Sequence, residues 1–382
     1  MEKDHAVHKK KKLNTYYDYS LLVLTIFIVL FGVVMIYSAS FYSASTSIDT
    51  NYDPLFFVKS QTRGIILGVV AMLMISKIDY RWFIAKKLPV IHLNLAQCAY
   101  VGALILQVAV LFIGIESHGA KRWMRLGPIQ FQPSELSKIA AILMVSYMIY
   151  LAPRAVNNLK GLLKIVIFMA PIIVLIAKEN LSAAIIVSAI VAGICFVASR
   201  KKWYFILLLG VAAIAVVLFL NFGDSFRMER IEVWRDLEGH EKGYQILQGL
   251  YAIASGGLFG TGLGQSMQKL GFIPESQNDM IFSIICEELG LVGAGVVVFM
   301  FVLLLWRILI VANSAPDLFG GLICTGVMVQ IAVQVILNIA VVSNFIPSTG
   351  IALPFISCGG TSVSILLAEM GLVLSVSNQI RR

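Results

Sequence analysis

The stretch GFIPESQNDMIFSIICEELG, residues 271–290, places two acids before an apolar run and two more within its end. Glu275 and Asp279 precede the run, so we expect them at the mouth of a membrane helix, where water and a polar substrate can both reach them. Glu287 and Glu288 follow Asp279 by eight and nine residues, about 12–14 Å deeper along a helix axis. We therefore predict that Asp279 is a general base, with Glu275 beside the substrate, and that the two deeper acids pair or hydrogen-bond within the membrane.

The same stretch also fits a helix start. Ser276 and Asp279 have the spacing of a capping box, in which each side chain bonds the backbone N–H of the other residue. Capping is the commoner role for this spacing. It is compatible with chemistry, because a cap at the outer mouth of a span remains in contact with water.

Basic side chains form a second group with chemical potential. Two stretches are predicted to lie outside the membrane, IESHGAKRWMRLGPIQFQPSELSK, residues 115–138, and the segment 222–279. The first carries Lys121, Arg122 and Arg125 within five residues, and the second carries three arginines, Arg227, Arg230 and Arg235. Guanidinium groups match phosphate oxygens, so the pattern indicates a membrane-bound anionic substrate such as a lipid-linked pyrophosphate. The alternative is that these side chains reach lipid headgroups or pair with nearby acids, namely Glu116, Asp236, Glu238 and Glu241.

Two further polar features interrupt apolar segments. Glu135 and Lys138 are three residues apart on one helical face, where an ion pair either fixes helix packing or shapes a polar cavity. The stretch NFIPSTGIALPFISCGGTSVSILLAEMG, residues 344–371, is broken by proline and glycine. Broken backbone at membrane depth persists where protein surrounds it or where it lines a wet cavity. The second case predicts substrate contacts from Ser357, Gly359 and Gly360, and the first predicts close helix packing by small residues.

A glycine-rich string, GGLFGTGLG, occupies residues 256–264. It follows no predicted strand and lacks the Gly-Lys-Ser/Thr ending of a phosphate-binding loop. We expect instead a re-entrant or interfacial turn packed tightly against helices.

The composition identifies the class of protein. Of the 382 residues, 59% are hydrophobic and 13% are charged, against about 25% charged residues in soluble domains. Apolar runs of about 20 residues, enough to cross a membrane, predict an all-α polytopic protein. The ten predicted spans are 20–38, 62–77, 94–114, 134–152, 161–178, 180–198, 203–221, 280–305, 317–341 and 352–377. They form a single membrane domain, 20–382, after a basic tail, 1–19, with one large extracytoplasmic loop, 222–279.

The positions of the basic residues predict the orientation. With the N-terminus in the cytoplasm, each cytoplasmic connection between predicted spans carries Lys or Arg, and both termini are cytoplasmic. The net charge of +9 therefore reports topology and contact with anionic lipid rather than nucleic-acid binding. The five cysteines lie in or beside apolar segments, which predicts neither a disulfide framework nor a metal cluster.

Several stretches together resemble the SEDS family (shape, elongation, division and sporulation), the polytopic peptidoglycan glycosyltransferases. The matching strings are VVMIYSAS, GAKRWMRLGPIQFQPSELSK, GYQILQGLYAIASGGLFGTGLGQSMQK, PESQNDMIFSIICEELG and NFIPSTGIALPFISCGGTS, in family order from the first span to the last. Some strings are closer to the division type and its sporulation relative than to the elongation type. The chain departs from the family at the turn KENLS, residues 178–182, and at Cys358.

The resemblance implies that the chain polymerises lipid II into β-1,4 glycan strands at the outer face of the bacterial cytoplasmic membrane. It implies that Asp279 is the catalytic residue, and that Glu135, Lys138, Lys121 and Arg122 belong to the site. The expected partners are a class B penicillin-binding protein transpeptidase and other division proteins, with localisation at the septum.

The implied chemistry is an inverting transfer. Asp279 takes the proton from the 4-hydroxyl of the acceptor GlcNAc as that oxygen attacks C1 of the donor MurNAc, and polyprenyl pyrophosphate leaves. We expect Lys121, Arg122, Arg227 and Arg230 to stabilise the leaving charge, together with a divalent cation, Mg²⁺ or Mn²⁺.

Two other functions stay open at the level of sequence. A lipid II flippase needs polar groups through the membrane midplane, which Glu287, Glu288 and Glu369 could supply. A non-catalytic scaffold of the division machinery needs no catalytic acid, so it predicts normal division with Asp279→Asn.

Overall fold

The computed structural model describes residues 15–85, 92–117, 120–127, 129–206, 210, 230 and 232–381. Within these residues the α-helices are α1 (Tyr19–Thr46), α2 (Phe56–Lys77), α3 (Trp82–Ala85), α4 (Leu95–Ile113), α5 (Pro133–Leu151), α6 (Leu159–Glu179), α7 (Leu181–Ala198), α8 (Tyr244–Gly256), α9 (Ile281–Asn313), α10 (Leu318–Val342) and α11 (Gly360–Asn378). Its strands are β1 (Thr15–Tyr16), β2 (Ile115–Ser117), β3 (Ala120–Leu126), β4 (Ile129–Phe131) and β5 (Ile380–Arg381).

The predicted all-α membrane architecture is confirmed. Within the described residues, nine helices are long and apolar enough to cross a membrane, and they correspond to nine of the ten predicted spans. The tenth prediction, 203–221, falls largely outside the described residues. Strand β1 pairs antiparallel with β5, so the two ends of the described chain lie on the same side, which agrees with the predicted even number of crossings.

Several predicted boundaries are corrected. Helix α2 begins at Phe56 rather than at residue 62, and α9 continues to Asn313 rather than ending at residue 305. Helix α1 continues to Thr46, well beyond the predicted end at residue 38, because the small and aromatic residues that follow remain compatible with a helix. Helix α11 begins at Gly360 rather than at residue 352, because Pro354 cannot donate a helical hydrogen bond and Gly359 adopts a non-helical conformation.

Short polar side chains define where several helices begin. Asp18 Oδ1 accepts a hydrogen bond from the Leu21 backbone N–H at 2.9 Å, and Asp317 Oδ1 accepts from Gly320 N at 2.9 Å. Asn94 forms a full capping box with Gln97. These caps satisfy N–H groups that the first turn of a helix leaves unpaired.

Close packing of α11 on α2 depends on small residues. A Cβ added at Gly64 would lie 2.1 Å from the Gly360 carbonyl oxygen, so the two backbones are nearly in contact. Ser364 Oγ donates to the Gly64 carbonyl at 2.7 Å. This is the small-residue packing expected between membrane helices.

The glycine-rich string, residues 256–264, packs against a break in helix α9. Gly290 has φ 66° and ψ −171°, which ends the helical hydrogen bonding at that point. The string replaces the lost bonds: Leu291 N donates to Gly257 O at 2.9 Å, and Gly262 N donates to Glu288 O at 3.0 Å. A Cβ at Gly260 would lie 2.2 Å from Glu288 O. The predicted tight turn against helices is therefore confirmed, at a depth where unpaired backbone groups would be costly.

The segment predicted as one large outer loop, 222–279, contains a helix, α8, that packs against α9. Helix α8 runs beside the first turns of α9, since a Cβ at Gly249 would touch Met280 and one at Gly256 would touch the Cys286 carbonyl. The chain then turns at the glycine-rich string and returns to Asp279. We call α8 and residues 257–280 the re-entrant hairpin.

Candidate functional site

Asp279 lies at the end of the re-entrant hairpin, two residues before α9, and its side chain is partly buried. Asn338 on α10 donates from Nδ2 to the Asp279 backbone carbonyl at 2.8 Å. A Cβ added at Gly350 would lie 3.9 Å from Asp279 Oδ2. The carboxylate therefore faces Gly350 in the broken stretch 344–371, for which a cavity wall is one of the two interpretations of the sequence.

The predicted capping box is wrong. The hydroxyl of Ser276 donates to the Ala39 carbonyl on α1 at 3.0 Å, and α9 begins at Ile281 without a side-chain cap. The turns that precede Met280 keep Asp279 outside the helix, so the geometry of a helical first turn does not apply.

Arg230 lies within electrostatic range of Asp279, and Arg122 lies within range of Arg230. Burial lowers the pKa of the Arg230 guanidinium; neighbouring Arg122 lowers this pKa further, and the Asp279 carboxylate raises it. Arg230 Nη1 donates to the Ser348 carbonyl at 3.2 Å. The structure therefore gathers a carboxylate and two guanidinium groups from residues 122, 230 and 279 at one place.

The C-terminal end of α6 holds β3, the strand that carries Arg122. Arg122 Nε donates to the Glu179 carbonyl at 2.8 Å, and the Lys121 backbone N–H donates to Glu179 Oε2 at 2.9 Å. Burial lowers the pKa of Arg122, and the Glu179 carboxylate opposes this shift. Glu179 belongs to the KENLS turn, so the departure from the family pattern contributes directly to this part of the site.

The remaining basic candidates are Lys121, Arg125 and Arg227. Arg125 is exposed and its Nε donates to the Gly127 carbonyl at 3.1 Å. Arg227 lies outside the described residues. Substrate binding by Lys121, Arg125 and Arg227 stays a prediction.

Glu135 and Lys138 form a buried ion pair. Lys138 Nζ lies 2.7 Å from Glu135 Oε1, with only 1% of the lysine side chain exposed. Ser362 Oγ on α11 donates to Glu135 Oε2 at 2.9 Å. The pair thus joins α5 to α11, which supports the packing role, and its contact with a substrate stays a prediction.

The two deeper acids anchor the re-entrant hairpin, as predicted. Glu287 accepts from Ser266 Oγ and, at 2.9 Å, from the Met267 N–H. Glu288 Oε1 lies 2.7 Å from Lys269 Nζ and accepts from Ser38 Oγ at 2.6 Å. Both carboxylates are therefore committed to structure rather than to an outer-face reaction.

The remaining candidates fall into two places. Glu275 is exposed, with φ 50°, and its Oε2 accepts from Asn278 Nδ2 at 2.9 Å. Ser357 and Gly359 contact Gln61 of α2, which donates to the Ser357 carbonyl at 3.3 Å and accepts from Gly359 N at 2.9 Å. Together with Gly360, these contacts support the packing alternative, and binding of substrate by these residues stays a prediction.

Asn338 is a site residue that the sequence reasoning missed. It lies in an apolar span, and nothing in its neighbours indicates that it reaches Asp279, 59 positions away. The signal available was a row of three amides at four-residue spacing in a largely apolar helix, Gln330, Gln334 and Asn338, since polar groups at membrane depth are costly unless they serve a purpose.

The chain is similar to known proteins over nearly its whole length. Residues 19–382 match the family model described as "Cell cycle protein", whose name joins FtsW, RodA and SpoVE. A "Probable peptidoglycan glycosyltransferase FtsW" of Geobacter sp. (strain M18) is 35% identical over 374 residues, covering 96% of this chain and 98% of the relative. The chain belongs to this family.

Other relatives agree with that membership. The "Stage V sporulation protein E" of Bacillus subtilis (strain 168) is 34% identical, covering 95% of this chain and 98% of the relative. RodA of Thermus thermophilus has a solved structure with a TM-score of 0.67 and 26% identity, covering 96% of this chain and 98% of that one. A structure described as "Structural coordination of polymerization and crosslinking by a peptidoglycan synthase complex" has a TM-score of 0.77 and 27% identity, covering 94% and 97%.

Proposed function

We propose that the chain is a peptidoglycan glycosyltransferase that polymerises lipid II at the outer face of the cytoplasmic membrane. The observation that carries the proposal is that Asp279 and Arg230 meet the same short run of backbone: a Cβ at Gly350 would lie 3.9 Å from Asp279 Oδ2, and Arg230 Nη1 donates to the Ser348 carbonyl at 3.2 Å. Arg122 is close enough to Arg230 to lower its pKa. A base and two phosphate-binding cations are the groups that this transfer needs. The names of the relatives as peptidoglycan glycosyltransferases support the same reaction.

In the proposed step, Asp279 accepts the proton of the acceptor 4-hydroxyl while the oxygen forms a bond to C1 of the donor sugar. The bond from C1 to the pyrophosphate oxygen breaks, and its electron pair leaves with the polyprenyl pyrophosphate. Arg122 and Arg230 stabilise the negative charge that develops there. Attack from the face opposite the leaving group inverts C1, so one displacement converts an α-linked donor into a β-linked product. The proton then passes from Asp279 to water at the outer mouth.

The polar groups of α10 favour transfer over transport. Gln330 Nε2 donates to the buried Glu369 carboxylate at 2.7 Å. In the cytoplasmic half of α10 the buried side chains are apolar except for Thr325, whose hydroxyl bonds the Gly321 carbonyl of its own helix. The polar face of α10 therefore ends near its middle and does not continue across the membrane as a lipid-headgroup path would require.

A divalent cation is part of the proposal as a companion of the substrate. Among the described residues no three His, Cys, Asp or Glu side chains converge to hold a metal ion, so this part of the chain does not fit a resident metal. One carboxylate together with substrate phosphates is a common arrangement for Mg²⁺. We propose that Mg²⁺ or Mn²⁺ would enter with the pyrophosphate and be held by the substrate phosphates, with Glu275 as the assisting carboxylate, while Asp279 accepts the proton.

We further propose that the chain works at the division septum with a class B penicillin-binding protein transpeptidase and other division proteins. Relatives named FtsW support the division role, and the similarity to a peptidoglycan synthase complex supports the partner. The sporulation relative is about as similar, so a depletion experiment must separate the two roles: loss of the chain should block septation in growing cells.

The test of the reaction is polymerisation of purified lipid II by the full chain with its transpeptidase partner in detergent. Wild type should form glycan strands, whereas Asp279→Asn should form none while still binding the partner. Near-normal polymer from well-folded Asp279→Asn protein would refute the assignment of the base. Glu287→Gln is the control, because it substitutes an acid that anchors the re-entrant hairpin. This variant should lower the thermal stability of the protein as well as its activity.

A further inference from the structure

Asn338 uses both hydrogens of its amide group on two separate segments. Its Nδ2 donates to the Asp279 carbonyl at 2.8 Å and to the Ile351 carbonyl at 2.7 Å. Only 1% of the residue is exposed, so water does not compete for either bond. A primary amide has two N–H donors in one plane, and the two carbonyls are therefore held at a fixed separation and direction.

The second carbonyl belongs to a short run that also orients the cation. Within residues 348–351, the Ser348 carbonyl accepts from Arg230 at 3.2 Å and the Thr349 carbonyl accepts from Ser182 Oγ at 2.7 Å. Gly350 lies beside the Asp279 carboxylate. One amide thus joins the backbone of the base to the run that receives the Arg230 guanidinium.

The amide oxygen of Asn338 indicates that the residue serves as a hydrogen-bond donor. Its Oδ1 is buried and has no hydrogen-bond partner among the described residues. An unpaired buried amide oxygen carries a desolvation cost that an apolar side chain of similar size would avoid. The two N–H bonds are the gain that offsets this cost.

We propose that Asn338 is a positioning residue of the transfer reaction, which fixes Asp279 relative to Arg230 through the run 348–351. The proposal rests on the proposed function, because it assigns Asn338 an effect through the base. A purely structural residue would tie the same two segments without changing the catalytic step. The two roles differ in their kinetics.

The experiment compares Asn338→Leu and Asn338→Ala with Gln334→Leu in lipid II polymerisation by the full chain and its partner. Gln334 is a matched control: it lies one turn earlier on α10, is 6% exposed and also has an unpaired amide oxygen. We expect kcat to fall about 10- to 100-fold in both Asn338 variants, with KM for lipid II changed less than about twofold, because small displacements of a base have costs of this size. Gln334→Leu should retain kcat within about threefold of wild type.

A double variant separates positioning from structure. Asp279→Glu moves the carboxylate by one methylene, so in that background Asn338→Leu should lower kcat by less than about threefold, since residues acting as one unit are not additive. Losses that multiply would overturn the inference, as would wild-type kcat in folded Asn338→Leu and Asn338→Ala. If Asn338→Leu fails to bind the partner or to elute as a single species, Asn338→Ala carries the test, because it adds no bulk.

Failure of this inference is distinguishable from failure of the proposed function. Normal polymerisation by Asp279→Asn would remove the proposed function itself. An inactive Asp279→Asn together with fully active Asn338 variants would remove only the positioning role.

Discussion

The contact of Lys269 with Glu288 offers a quantitative test of how the re-entrant hairpin is held. Lys269 Nζ lies 2.7 Å from Glu288 Oε1, and the side chains are 8% and 0% exposed. Ser38 Oγ lies 2.6 and 2.8 Å from the two carboxylate oxygens and accepts from Lys269 Nζ at 2.9 Å. The three side chains thus join the hairpin, α9 and α1.

Lys269→Met removes the charge and keeps most of the side-chain length. It leaves the Glu288 carboxylate buried with Ser38, whose hydroxyl has one hydrogen to donate. Removing one partner of a buried pair costs about 3–5 kcal/mol, because the remaining charge stays desolvated. Lys269→Met with Glu288→Gln removes both charges, so we expect it to recover all but about 1–2 kcal/mol of the free energy of unfolding.

The assay is unfolding by SDS titration from mild detergent, followed by loss of helical circular dichroism. Lys59→Met is the matched control, because Lys59 Nζ and Asp53 Oδ2 lie at a similar distance, 2.6 Å, but the two side chains are 55% and 32% exposed. Such an exposed pair should contribute less than about 1 kcal/mol. The reasoning is refuted if Lys269→Met is no more destabilising than Lys59→Met, or if the double variant is no more stable than Lys269→Met alone.

Three further predictions concern the outer mouth, the cytoplasmic face and the cation. Gly350→Ala adds a methyl group 3.9 Å from Asp279 Oδ2 at a backbone φ of +65°, so kcat for polymerisation should fall about 10-fold or more; unchanged kcat would show that the carboxylate does not work on that side. Burial raises the pKa of Asp317, but the Gly320 N–H, Arg81 and Tyr80 lower it to a net value below 3.8. Because the folded pKa is depressed, the stabilising effect of Asp317 is complete above pH 3.8 and is lost as the pH falls through the lower folded value. Asp317→Ala should therefore cost about 1–2 kcal/mol at pH 7 and progressively less as the pH falls below 4, whereas Asp317→Asn should keep the cap; a cost that does not change with pH would contradict this. EDTA should abolish polymerisation and leave the thermal unfolding of the substrate-free protein unchanged, and unfolding at lower temperature in EDTA would instead indicate a resident metal.

Most of what the sequence alone determined concerns single segments. Long apolar runs predict membrane helices because the bilayer requires backbone bonds to close within each segment. Each of nine predicted spans therefore has a matching helix among the described residues. The depth of Glu287 and Glu288 below Asp279 also follows from residue count, and it correctly separates anchoring acids from the candidate base.

Only the tertiary structure decided which distant residues meet. Ser276 bonds Ala39 instead of forming a capping box, Arg230 bonds Ser348, and Asn338 bonds both Asp279 and Ile351. Local spacing gives no information about such pairs, because they depend on how helices far apart in the chain pack side by side. The candidate base can thus be predicted from the order of the residues. The groups around it come from four separate parts of the fold, namely β3, residue 230, α10 and the run 348–351.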